Sequence, residues 1–231
     1  MDFFADGFRI AWAKLAGGDA DTWSAIETSL LCTTLGVAIA FALAVPYAAW
    51  LGQRRPRTAP TQVFLLRVGT FVPTVVVGLL LYGLLSRRGL LGSMDLLYTR
   101  TAIVAGQALL AFPLIATLVQ ASTASLDARA YETARTLGAG PLRALGACVA
   151  EVREAVVAAF LLAFARGLSE LGVTLAVGGN LRLRTRTLSS TITLELSRGE
   201  FGAGLACGII LVLLAVAIAL LASRLGKERV R

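Results

Sequence analysis

Five long stretches of this 231-residue chain are almost free of charge. No charged side chain lies between Glu27 and Arg54, or within 68–86, 101–126 or 201–223. A fifth stretch, 155–181, is interrupted only by Arg166 and Glu170. As a helix, each can cross a hydrocarbon slab ~30 Å thick at about 1.5 Å per residue. The expectation is an all-α, polytopic membrane bundle with five transmembrane helices, forming a single domain over 1–231. Hydrophobic residues are 57% of the chain and charged ones 16%, where a soluble domain carries about a quarter charged. No loop is long enough to build a second core. Function therefore resides in the bundle or its short loops.

The side-chain inventory excludes much chemistry. The chain has no His, which removes the commonest general base, proton shuttle and metal ligand. Cys32, Cys148 and Cys207 are far apart and read as small apolar packing residues, not as a metal site or disulfide. Clustered Asp and Glu are also missing, which argues against an intramembrane enzyme. The net charge of +8 fits lipid headgroups or an anionic cargo, and no nucleic-acid-binding motif is present.

At the N-terminus, Asp2 and Asp6 stand where a cleavable signal has basic residues. Phe4, Phe8, Trp12 and Leu15 recur at helical spacing, so 1–23 reads as a leader with a short amphipathic helix on the membrane surface. Pro46, Pro73 and Pro113 fall in the first three spans and are expected to kink them. Small residues crowd the last two spans, among them Ala159, Ala163, Gly167, Gly172, Gly202 and Ala206, and favour close helix approach. Five spans put the ends on opposite sides. One side carries eleven cations, including Arg54, Arg55, Arg57, Arg229 and Arg231, against nine on the other. That bias favours an external N-terminus and a cytoplasmic C-terminus.

The loop 125–155 reads as two helices with a sharp break. Asp127 or Ser125 can cap the first, Gly138 suits a left-handed C′ position, and Pro141 fits the first turn of the second. Ala130, Tyr131, Ala134 and Leu137 form a small apolar face, with Glu132 and Arg135 three apart on another. Such a helix can dock in a partner's groove.

Glu132-Thr133-Ala134, three residues, then Gly138 resembles the E-A-A-x-x-x-G loop of bacterial ABC importer permeases. Thr133 departs from the pattern, as do Cys148, Ala150 and Glu151, where the pattern ends in an apolar residue and Leu-Pro. Downstream, Phe164 to Gly172, Val177 to Asn180, and Arg186-Thr187-Leu188 through Ser197-Arg198-Gly199-Glu200-Phe201 are similar to the oxyanion branch of that family, in the manner of tungstate-type permeases. The resemblance implies a MetI-like permease architecture. It makes 125–155 a cytoplasmic coupling loop in which Tyr131, Glu132, Thr133, Ala134, Leu137 and Gly138 meet the ATPase. It also implies partners: a second copy of the chain, a cytoplasmic ABC ATPase dimer, and a periplasmic or lipid-anchored oxyanion-binding protein. The chain has no G-x-x-x-x-G-K-[ST] loop, so ATP is expected on the separate subunit and no cofactor or metal on this one.

Arg166 and Glu170 lie inside the fourth apolar stretch, where a charge costs ~2.5–3.5 kcal/mol on insertion scales. Four residues apart on a helix, they share a face and can pair. They read either as an ion pair locking assembly or, with Ser169, Gly178, Gly179 and Asn180, as a path or gate. Paired with Glu170, Arg166 makes a poor anion contact. Arg182, Arg184, Arg186 and Thr187 read as a docking surface for the binding protein or as an oxyanion funnel. Molybdate or another oxyanion is the alternative cargo. A carrier driven by an ion gradient, with Arg166 and Glu170 as relay, is the alternative mechanism.

Overall fold

The computed structural model describes residues 2–53, 60–126 and 129–227. Among them the secondary structure is entirely helical. Three unbroken helices are long and apolar enough to span a membrane: α2 (Ala20–Gly52), α5 (Arg100–Ala124), and α11 (Phe201–Lys227) through its stretch Phe201–Leu220. Two further spans are broken pairs, α3 (Pro60–Phe71) with α4 (Thr74–Leu85), and α8 (Arg153–Leu168) with α9 (Gly172–Gly178). The count of five is reached when each pair is taken as one span. Asp127, Arg54, Arg55, Arg57, Arg229 and Arg231, which entered the capping and charge-bias arguments, lie outside the described residues.

The three prolines act differently. Pro46 and Pro113 sit inside continuous helices. At Pro73 the helix ends, and Pro73 becomes the N-cap of α4 with φ −59° and ψ 129°. A proline has no N–H to continue the ladder, and it pushes the residue before it out of the helical region. The fourth span also breaks, against the expectation of one helix. Ser169 turns its hydroxyl back to the Arg166 carbonyl at 3.0 Å, and the Glu170 N–H tightens to the Gly167 carbonyl at 3.2 Å. Side-chain competition for backbone partners of this kind loosens a helix end.

The chain forms two compact units. The first comprises Met1–Gly36, Pro73–Gln107 and Ala165–Arg231. Its interior is built on close approach of small residues. A Cβ added to Gly78 of α4 would meet the Ala176 Cβ at 2.9 Å and the Gly172 carbonyl oxygen at 3.1 Å. One added to Gly106 would lie 2.2 Å from Val173. Bare backbone at these points lets α4 and α5 bracket α9, and dispersion over that tight contact replaces the hydrophobic drive that lipid does not supply. At the N-terminus, α1 (Asp2–Ala16) forms as expected. Its Gly7 and Ala11 side packs on α11 beside Leu205, while Phe8 and Trp12 remain exposed on the other side, Trp12 at 73%.

The second unit comprises Val37–Val72 and Ala108–Phe164. Its core interleaves Val37, Ala44 and Ala48 of α2 with Ile115 and Val119 of α5 and Ala159 and Ala163 of α8. Phe41 meets Phe160 edge-on with centroids 5.5 Å apart. Gln53 closes the end of α2 by donating from Nε2 to the Thr123 carbonyl at 2.9 Å.

Asp19 caps α2. Its carboxylate accepts the Thr22 N–H at 3.0 Å and the Thr22 hydroxyl. The hydroxyl bond is the main cause holding the Asp19 carboxyl below its ordinary range, against opposing burial. A lowered carboxylate pKa means that the cap stabilises at neutral pH and is lost as pH falls through that lowered value. Asp19→Ala is expected to cost about 1 kcal/mol, seen as a lower melting temperature in detergent at pH 7. The gap to the wild type closes on acidification.

Candidate functional site

The 129–151 hairpin belongs to the second unit. The helix α6 (Arg129–Thr136) ends in a paired closure: the Ala139 N–H reaches the Ala134 carbonyl at 3.0 Å, and the Gly138 N–H reaches the Arg135 carbonyl at 3.1 Å. This Schellman arrangement needs a left-handed residue, and Gly138 has φ +89°. Pro141 opens α7 (Pro141–Glu151), which anchors through buried Ala144 and Cys148. Arg135 donates to the Ala139 carbonyl at 2.8 Å instead of turning to Glu132, so it reinforces the turn.

Glu132, Thr133 and Leu137 are exposed, while Tyr131 and Ala134 are half-buried. Leu137 and Leu142 flank the turn at 82% and 81% exposure. The sequence reading named Leu137 and missed Leu142. The signal was present, since an apolar residue following Pro141 on a helix outside the spans has no obvious lipid to face. The hairpin thus presents a hydrogen-bonded turn with two exposed leucines and a carboxylate.

The remaining candidates fall in the first unit. Arg166 stands on the last turn of α8 and is exposed. Glu170 lies in the break itself and is 7% exposed. Its Oε1 accepts the Val173 N–H at 3.1 Å, satisfying one orphan donor at the start of α9. The Glu170 carbonyl accepts the hydroxyls of Thr174 and Ser189 at 2.9 and 2.8 Å. The expected Arg166–Glu170 pair is not formed, because the four-residue spacing assumed a continuous helix and the chain breaks between them. Arg166, Ser169, Glu170 and Thr74 line one open cavity of about 710 Å³ with Val75 and Leu175.

Gly178 ends α9 and Gly179 is its left-handed C-cap with φ +67°. Gly178 is buried beside Ile103, and a Cβ there would meet the Ile103 Cδ1 at 2.8 Å. Asn180 gathers two donors on its Oδ1, Arg186 Nε at 3.2 Å and Ser190 Oγ at 2.9 Å. The Leu181 carbonyl accepts the N–H groups of Arg184, Thr185 and Arg186 within 3.2 Å, which folds 181–186 into a tight loop.

The three arginines of that loop do not form one cluster. Arg182 Nε meets both carboxylate oxygens of Asp21 at 2.8 and 2.9 Å. That hydrogen bond, and then the Asp21 charge, raise the Arg182 pKa further. Arg186 turns to Asn180. Arg184 is exposed and has no acidic partner among the described residues. It borders a cavity of about 270 Å³ with Tyr98, Thr99 and Arg100.

Thr187 departs from the expectation of a surface role. It is buried, and it caps α10 (Leu188–Ser197) in a reciprocal pair with Ser190. Sequence reasoning also missed Asp21, Glu27 and Arg100. Arg100 joins Glu27 at 2.8 Å and donates from Nε to the Arg184 carbonyl at 2.8 Å. Acids at the entrance of the first span, facing a chain rich in arginine, were the available sign.

Residues 44–231 match the family model described as a binding-protein-dependent transport system inner membrane component. A tungstate uptake system permease protein of Campylobacter jejuni subsp. jejuni is 32% identical over 227 residues, covering 98% of this chain and 95% of its own. A tungstate uptake system permease protein of Peptoclostridium acidaminophilum is 33% identical, covering 94% and 96%. Among solved structures, a bacterial alginate ABC transporter in complex with a periplasmic protein bound to alginate pentasaccharide aligns with a TM-score of 0.72. That alignment covers 96% of this chain and 86% of the other, and at 17% identity it establishes the fold alone.

A Cβ at Gly138 would meet nothing within 4 Å, so the demand there is for backbone freedom alone. Gly138→Ala is expected to strain the turn by about 1–2 kcal/mol. Faster amide exchange over 134–140, with exchange in α5 unchanged, is the measurement that checks it.

Proposed function

The chain belongs to the family of inner membrane components of binding-protein-dependent transport systems, and from that premise we propose that it is the multi-pass permease subunit through which an ATP-driven importer moves tungstate into the cell. The observation that carries the cargo is likeness to two tungstate uptake permeases at 32% and 33% identity over nearly the whole chain. The geometry agrees with transport rather than catalysis. It offers an exposed helical hairpin, a polar break in an otherwise apolar span, and an arginine-bearing loop.

In this reading α6 is the coupling helix. Tyr131, Glu132, Thr133, Ala134, Leu137 and Gly138 seat in a cleft of a cytoplasmic ATPase dimer, which binds and hydrolyses the ATP. The short stiff turn closed at Gly138 is what supports this role, because a lever must resist bending to pass on displacement. α7 carries the stroke into the bundle through Ala144 and Cys148. Two copies of the chain enclose the path, since a single bundle of this size surrounds little.

The path or gate runs by Arg166, Ser169 and Glu170, with Gly178, Gly179 and Asn180 near its end. Arg184, with Arg182 and Arg186, faces the periplasmic or lipid-anchored binding protein. Its uncompensated guanidinium suits an acidic patch or the departing anion. The partner delivers the cargo, so this chain needs no tight site of its own.

Glu132→Lys should reduce tungstate uptake in cells to background while leaving the protein inserted and at normal abundance. Gly138→Val should do the same. Uptake at the wild-type rate in either variant would remove the coupling assignment. Competition of labelled tungstate with molybdate and sulfate then settles the cargo. Displacement at equal concentration by molybdate would broaden it to both anions. Uptake that survives ATP depletion under a held ion gradient would point to a secondary carrier instead.

A further inference from the structure

The first unit separates two charges that a continuous helix would have paired. Glu170 is turned inward and spends its carboxylate on the Val173 N–H, at the head of α9. Arg166 stays on α8 and points into the open. Among the described residues Arg166 takes part in no ion pair, whereas Arg100 is joined to Glu27 and Arg182 to Asp21. Arg166 therefore keeps its full field. Its position, within the α8–α9 broken span, is one where a cation cannot rest against lipid. Water, an anion or an acid from a second copy must face it.

The cavity beside it favours water and an anion. About 710 Å³ opens onto Arg166, with the hydroxyl residues Thr74 and Ser169 on its wall and Val75, Leu175 and Ala176 supplying apolar surface. That volume is many times what a single water needs, so an anion entering it keeps much of its hydration. A guanidinium offers a planar fork of donors that matches two oxygens of a tetrahedral oxyanion, and hydroxyls add neutral donors. One cation, a few hydroxyls and retained water make a weak site. Conduction asks for that balance, with attraction enough to enter and release fast enough to leave.

We infer that Arg166 is a cargo-contacting residue: a transient way station for a hydrated tetrahedral oxyanion, freed for that role because Glu170 is committed to capping α9. This rests on the importer reading above and assigns the two charges separate duties, Arg166 to the anion and Glu170 to the architecture of the break.

The experiment uses the whole importer, with its ATPase and binding protein, reconstituted in liposomes. Tungstate uptake and ATP hydrolysis are measured in parallel. Arg166→Gln lowers uptake at least about tenfold, while hydrolysis stimulated by the loaded binding protein stays within about twofold. Arg166→Lys recovers a substantial part of the lost uptake, because charge is kept and only the fork is lost. As a second measurement, Ser169→Cys, on the same cavity wall and with Arg166 intact, is modified by a water-soluble thiol reagent, and millimolar tungstate slows the modification. The native cysteines Cys32, Cys148 and Cys207 are buried, so within this chain the label reports one position, read on the permease band after the subunits are separated. Uptake by Arg166→Gln within about twofold of wild type overturns the inference. So does an Arg166→Lys protein as inactive as Arg166→Gln, or loss of the ATPase or the second copy on purification of Arg166→Gln, which would mark an assembly contact. If the wild-type complex moves no tungstate, molybdate or sulfate, the importer reading fails and takes this inference with it. If the wild type transports and only the Arg166 results go the wrong way, the importer reading stands.

Discussion

In a hydrocarbon environment, a backbone N–H or C=O without a partner costs several kcal/mol. The architecture follows from how this chain meets that demand where it stops being helical. The break between α8 and α9 exposes donors and acceptors near the middle of a span. Glu170 takes a donor through its carboxylate, and its own carbonyl takes the hydroxyls of Thr174 and Ser189. Ser189 sits in the first turn of α10, whose cap Thr187 is paired with Ser190, and Ser190 in turn donates to Asn180. A run of short hydroxyl side chains thus holds the break, the end of α9 and the start of α10 in one hydrogen-bonded group. Unlike long charged side chains, Ser and Thr lose little rotamer freedom when buried, which makes them economical fasteners inside a thin bundle.

Much of this was legible beforehand. Uncharged length announced the spans, and Gly138 followed by Pro141 announced the hairpin turn down to its left-handed residue. Helical spacing of Phe4, Phe8 and Trp12 announced α1. These signals are local, and local chemistry decides them. The Arg166–Glu170 relation was misjudged for a physical reason. Spacing along a helix predicts a shared face only while the helix persists, and the Ser169 hydroxyl and Gly167 undo it there. The arginine loop was misjudged for another reason. Alternation suggested one cationic surface, whereas Asp21, 161 positions earlier, claims Arg182, and a partner that far off in sequence leaves no trace in the local pattern. The three prolines look alike in the sequence, yet only Pro73 ends a helix.

The glycines of the first unit show why small residues concentrate where they do. Gly78 and Gly106 each permit a contact that a methyl group would block. Lipid offers no less apolar contact than a neighbouring helix, so close fit, not burial of greasy surface, distinguishes bundle from bilayer. The second unit relies more on interleaved alanines and valines and on the edge-on ring contact between Phe41 and Phe160. The hairpin that projects from it is held by backbone geometry at Gly138 and by two buried small side chains on α7.

The seam between α1 and α11 bears on how the protein is made. Gly7 receives Leu205, and Ala11 is buried in the same cluster as Ala206 and Cys207. α1 therefore finds its seat only once α11 is in place. Until α11 enters the bilayer, the small-residue side of α1 lacks its native companion, and the chain must close a loop of nearly two hundred residues to complete the first unit. Membrane insertion and tertiary folding are thereby separated in time, since α1 stays without its packing partner until α11 has entered.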